Sequence, residues 1–107
     1  MRTHPFTLVT IIAEPVLEAR LTQQIRQLGA SGWTVTYGRG EGSRGIHAAE
    51  IPGENVRIET IVPRELADQL VTHLAAHYFV DYEVIAYTTD VQIVRSEKYL
   101  TSTTEGA

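Results

Sequence analysis

"VRIETIVPRELADQLVTHLAAHY", residues 56–78, decides the fold. Val56, Ile58, Thr60 and Val62 share one face, while Arg57 and Glu59 point the other way. That two-residue period predicts a half-buried strand over 56–62. Pro63 follows, and its fixed φ suits the opening of a helix. Leu66, Leu70, Leu74 and Tyr78 then recur every four residues and form one apolar stripe. A strand therefore runs directly into an amphipathic helix.

The same unit stands earlier in the chain. FTLVTII, residues 6–12, puts Phe6, Leu8, Thr10 and Ile12 on one face and Thr7, Val9 and Ile11 on the other. Both faces are largely apolar, so the strand is predicted to be central and covered on both sides. Pro15 suits a first helical turn, and Leu17, Leu21, Ile25 and Leu28 supply the stripe of a helix that Gly29 ends. WTVTY at 33–37 reads as a second strand after Gly32. The last strand spans about 84–94, where Ile85, Tyr87, Val91 and Ile93 are apolar.

The order is βαββαβ, which predicts an α+β ferredoxin-like domain. It has a four-stranded antiparallel sheet with two helices on one face. The domain is expected over 1–94, with a polar tail over 95–107. The opposite sheet face would meet water, yet the first strand is apolar there, and Trp33, Val35 and Tyr37 are expected to line that face too. Such a surface calls for cover, and a closed ring of identical copies is the simplest symmetric cover.

Composition narrows the function. The formal net charge of −4 argues against a broad nucleic-acid footprint. No apolar run approaches the roughly 18 residues of a membrane span, and MRTHPFTLVTIIAEP lacks the pattern of a signal peptide. The chain has no cysteine, so disulfides and thiolate metal sites are excluded. A cytoplasmic setting fits. Eight of the nine basic residues are arginine, Lys98 being the exception. Arginine suits forked contacts to phosphate or carboxylate.

The segment between the second and third strands is unusual. Residues 38–53 contain five of the eight glycines: Gly38, Gly40, Gly42, Gly45 and Gly53. A plain hairpin needs two to five linking residues, and about sixteen are spent here, which marks a functional loop or a disordered one. Glycines let successive N–H groups converge into an anion-binding nest. Ser43 adds a hydroxyl, Arg39 and Arg44 add forked cationic donors, and His47 adds a pH-dependent one. The run is read neither as a P-loop nor as a dinucleotide fingerprint, since GxxxxGK[ST] and a following helix are missing.

GASGWTVTYGRGEGSR, residues 29–44, resembles the PII-like signalling proteins, above all their SbtB-type carbon-regulatory branch. VRIETIVPRELADQL, HYFVDYEVIAY and the VRSEKY ending extend the similarity from Phe6 to Tyr99. The resemblance implies a homotrimer with a nucleotide site in each cleft between subunits. The ligands would be adenine nucleotides: AMP, ADP, ATP or cyclic AMP. It implies a T-loop, here about 38–55, that contacts a transporter or metabolic enzyme of inorganic-carbon or nitrogen metabolism, and bicarbonate as a second ligand in one branch. Membrane involvement would be indirect, through a transporter.

By position, Gly40, Gly42, Ser43 and Arg44 match the phosphate-binding base of the T-loop, and Gly38 is counted with them as nucleotide-binding. His47 replaces the arginine that often follows. Tyr82 and Ile85 fall in the wall near the nucleotide, Tyr87 lies just beyond, and Arg95 sits where a basic residue enters from the neighbour. The cysteine-bearing C-terminal hairpin of some relatives is missing, and no tyrosine stands in the loop to be uridylylated.

Other constellations carry less. His73 and His77 stand four apart on the second helix with no third ligand near in sequence, and they are read as helix-surface residues. His47 with Glu50 or Glu54 is a weaker metal candidate. Asp81-Tyr82-Glu83 reads as a turn, and Trp33 as core or oligomer packing. Ser43 and His47 lack an orienting acid, so no catalytic residue is assigned and the chain is expected not to be an enzyme. An acylphosphatase would need an arginine after the first strand, where IIAEPVLE has none. The alternative function is a divalent-metal-binding trimer resembling the cation-tolerance proteins.

Overall fold

Alternating apolar residues make the first strand, β1, over His4–Ala13. Pro15 sits in a short 3-10 turn, Pro15–Leu17, rather than in the α-helix itself, and α1 spans Glu18–Leu28. Then come β2 (Thr34–Arg39), β3 (Glu54–Val62), α2 (Arg64–His77) and β4 (Ile85–Ile93). The structure, a computed structural model, describes residues 2–40 and 53–94. The tail from Arg95 onward lies outside the described residues.

Gly29 ends α1 for a backbone reason. Its φ of 121° suits glycine, and the turn lets Ala30 N–H reach the Ile25 carbonyl at 2.9 Å. Pro63 sits just ahead of α2, where its carbonyl accepts the Ala67 N–H at 3.0 Å. Lacking an N–H of its own, proline loses nothing at that place.

The sheet order is β2-β3-β1-β4, with every neighbouring pair antiparallel. That is the expected ferredoxin-like arrangement. Both helices cover one face. Leu17, Leu21 and Ile25 from the first helical segment and Ala67, Leu70, Leu74 and Tyr78 from the second pack on Val9, Ile11, Val56 and Ile58. Burying side chains of this size stabilises by about 1.5–3 kcal/mol each. Thr60 on the same face satisfies its hydroxyl by donating to the Gly32 carbonyl at 2.6 Å, which pins the turn before β2.

Register corrects one expectation. Val35 pairs with Ile58 and Tyr37 with Val56, so the Trp33–Val35–Tyr37 row faces the helices. Trp33 and Val35 pack against the core, and the Tyr37 hydroxyl donates to Glu18 Oε1 at 2.6 Å. The open face gets its apolar area from β1 and β4 instead. Leu8 and Ile12 there adjoin Ile85, Tyr87, Val91 and Ile93. The β3 and β2 half of that face is mostly polar, with Arg57, Glu59, Thr34 and Thr36 beside the single apolar Ile61. Need for cover is thus confined to one half of the sheet. Thr10 sits at the seam between Glu59 and Tyr87, and its buried hydroxyl has no partner among the described residues.

Candidate functional site

The glycine segment leaves the sheet later than its composition suggested. Gly38 pairs with Asn55 and Arg39 with Glu54, and the Gly40 N–H donates to the Gly53 carbonyl at 2.7 Å. The two strands are therefore clasped as far as Gly40 and Gly53. Gly53 adopts φ 83°, a left-handed value that disfavours any side chain.

Asn55 explains the glycines opposite it. A Cβ at Gly38 would stand 3.2 Å from Asn55 Oδ1, and one at Gly40 would stand 3.3 Å from Asn55 Nδ2. The carboxamide lies across both backbones at the base of the loop. Asn55 was not a sequence candidate, and the cross-strand register is the signal that finds it. Gly42, Ser43, Arg44 and His47 lie outside the described residues, as does Arg95.

The wall candidates follow α2. The turn is closed by the Tyr82 N–H donating to the Tyr78 carbonyl at 2.9 Å. The two rings lie 5.8 Å apart. From α1, Arg20 donates to the Tyr82 hydroxyl at 3.3 Å, with its guanidinium 6.0 Å from the ring centre. Tyr82 is thus held by both helices. Ile85 and Tyr87 open β4 on the face away from the helices and remain 51% and 43% exposed.

A second polar knot lies beneath this turn. Gln24 Oε1 accepts the Tyr78 hydroxyl at 2.6 Å and meets His73 Nε2 at 3.1 Å. Burial pushes the Tyr78 phenol up, opposed by Arg20 and Gln24. Burial pushes His73 below its ordinary value, with His77 adding repulsion. At the other edge, the hydrogen bond to Glu18 raises the Tyr37 phenol.

One chain does not bring the candidates together. Gly38 and Gly40 lie on the β2 edge, while Ile85 and Tyr87 lie on the β4 edge. Three strand spacings of about 4.8 Å separate those edges by about 14 Å. They do share one end of the sheet: Gly38 lies opposite Asn55, Val56 opposite Ala13, and Ile12 opposite Ile85. Trp33 stacks under the Arg26 guanidinium, 4.9 Å from ring centre to cation, in keeping with a packing role. Among the described residues no group of three or more His, Cys, Asp or Glu side chains is placed to hold a metal. No described helix is long and apolar enough to cross a membrane.

Comparison with known proteins agrees with this architecture. The family model for nitrogen regulatory protein P-II matches residues 6–98. A crystal structure from Thermus thermophilus, of a protein assigned as PII-like signalling, is 49% identical, covering 92% of this chain and 99% of that one, with a TM-score of 0.80. Two structures of CPII from Thiomonas intermedia share the fold. One, bound to ADP, AMP and acetate, is 22% identical over 92% of this chain and 98% of its own, with a TM-score of 0.76. The other, bound to ADP and bicarbonate, is 23% identical over 92% and 97%, with a TM-score of 0.79. With its βαββαβ order, its clasped glycine loop and a family match spanning most of its length, the chain belongs to the nitrogen regulatory protein P-II family.

Proposed function

We propose that this chain is a cytoplasmic signalling protein of the SbtB-like, carbon-regulatory kind. It assembles as a homotrimer, binds an adenine nucleotide between subunits and controls a transporter or enzyme of inorganic-carbon or nitrogen metabolism. One observation carries the reading: the loop base and the wall lie at one end of the sheet but on its opposite edges. A pocket between them closes where the β2 edge of one copy meets the β4 edge of the next. The apolar β1 and β4 half of the open face and the unpartnered Thr10 hydroxyl favour the same assembly.

In this reading Gly38, Gly40, Gly42, Ser43 and Arg44 receive phosphate, with His47 beside them. Tyr82, Ile85 and Tyr87 form the wall, and Arg95 enters from a neighbour. The T-loop, between Gly40 and Gly53, carries the nucleotide state to the partner. AMP, ADP, ATP and cyclic AMP are the candidate ligands. The ADP, AMP and bicarbonate bound by CPII make bicarbonate the second ligand to test.

A thermal-shift panel of the four nucleotides, with and without bicarbonate, tests this. A ligand at a hundred times its Kd adds about 2.7 kcal/mol to the stability of the folded state. Arg44→Ala is expected to remove most of the shift. Size-exclusion chromatography with light scattering should give a trimer. A monomer with no shift for any adenine nucleotide would overturn the proposal.

A further inference from the structure

The last turn of α2 carries a pair of imidazoles that the nucleotide reading leaves unused. His73 and His77 stand one turn apart, with ring centres 4.2 Å from each other and planes inclined by 41°. Two nitrogens bound to one ion, each at about 2.0–2.1 Å, must lie within about 4 Å of one another. Rings this close meet that condition after a small side-chain rotation.

The tautomer of His73 is set from outside. Gln24 Oε1 can only accept, and it already receives the Tyr78 hydroxyl at 2.6 Å. His73 Nε2 at 3.1 Å must then be the donor, which leaves the Nδ1 lone pair free. A ring whose other N–H is held by a fixed acceptor is the usual arrangement of a ligating histidine. The pair closes the C-terminal end of α2, where the helix dipole favours a cation.

The geometry points to a two-histidine chelate at the end of α2, His73 through Nδ1 and His77 through its unprotonated nitrogen. It would take a first-row divalent cation that prefers imidazole: Cu2+, then Ni2+ or Zn2+. Water completes the coordination, and Gln24 and Tyr78 orient the inner ring. The ion clamps the turn of helix from which the Tyr82 turn departs. This site needs neither the trimer nor a nucleotide.

The test is calorimetric titration of the full chain with CuCl2, NiCl2 and ZnCl2 at neutral pH, with electron paramagnetic resonance of the Cu2+ form. A His4→Ala/His47→Ala variant removes the other imidazoles and should keep one Cu2+ per chain with a two-nitrogen splitting. In that background His77→Ala, an exposed position, should weaken binding by at least about tenfold, the scale of losing even an outer-sphere partner. The splitting should fall to one nitrogen. Circular dichroism and a second variant, His77→Asn, separate a folding defect from a lost ligand. Unchanged affinity in both His77 variants would overturn the assignment. So would loss of binding in the His4/His47 variant, or a chain that takes up no ion saturably.

Discussion

Gln24 ties α1, α2 and the turn carrying Tyr82 into one unit, and Gln24→Leu tests that role. Tyr78 is 2% exposed, and its hydroxyl donates to Gln24 Oε1 at 2.6 Å. Leucine keeps the volume but leaves that hydroxyl and His73 Nε2–H without their acceptor. A buried polar group stranded this way costs about 1–3 kcal/mol. Arg20 donates toward Tyr78 and cannot replace an acceptor, so a value near the middle, about 2 kcal/mol, is expected. For a domain of this size each kcal/mol lowers Tm by about 4–8 °C, which gives a fall of roughly 8–16 °C. The decisive arm is the double variant Gln24→Leu/Tyr78→Phe. With the stranded hydroxyl gone, it should be more stable than Gln24→Leu alone. Calorimetric melts at fixed protein concentration measure the cycle. If the double variant is as unstable as the two single effects added, the hydroxyl and the amide do not act as a pair, and the account of this knot is wrong.

Gly53→Ala should destabilise by about 1–2 kcal/mol, the cost of a left-handed residue with a Cβ, and should reduce any nucleotide-induced thermal shift by loosening the Gly40 clasp. Melts with and without ADP report both. Burial, reinforced by His77, lowers the His73 pKa in the folded state. The unfolded chain then binds more protons between that lowered value and about 6.5, so stability falls as pH drops through this window and is unaffected above it. Urea midpoints on the two sides of the window should show the loss, and His73→Gln should flatten it. Thr60→Val removes the donor to the Gly32 carbonyl and should cost about 1 kcal/mol, with the emission of Trp33 altered as the adjoining turn relaxes.

The elements were legible because their periods were clean. The leucine stripe of α2 and the alternation of β3 survive into the structure residue for residue. The orientation of β2 was not legible. A two-residue period says which side chains share a face but not which face the helices cover. That choice for Trp33, Val35 and Tyr37 is made by pairing with Ile58 and Val56, and pairing is non-local. The span of the glycine loop is not legible for a related reason. Glycine content marks residues from Gly38 onward, but the ladder continues through Arg39 and Glu54 to the Gly40–Gly53 bond.

Asn55 marks the limit of the candidate site as a sequence problem. Beside its own neighbours it is an ordinary polar residue at the start of a strand. Its meaning comes from the two glycines across the ladder, where a Cβ would crowd its carboxamide at 3.2 and 3.3 Å. Backbone freedom is not what Gly38 and Gly40 supply, since neither has a positive φ, whereas Gly53 does. Two different demands thus select the glycines at the loop base: clearance on the β2 side and a left-handed turn on the β3 side. Separating them makes a distinct claim for Asn55→Ala, which vacates the space without touching the backbone clasp. A small side chain at Gly38 should then be better tolerated in the Asn55→Ala background than in the parent, whereas no change at position 55 should rescue Gly53→Ala.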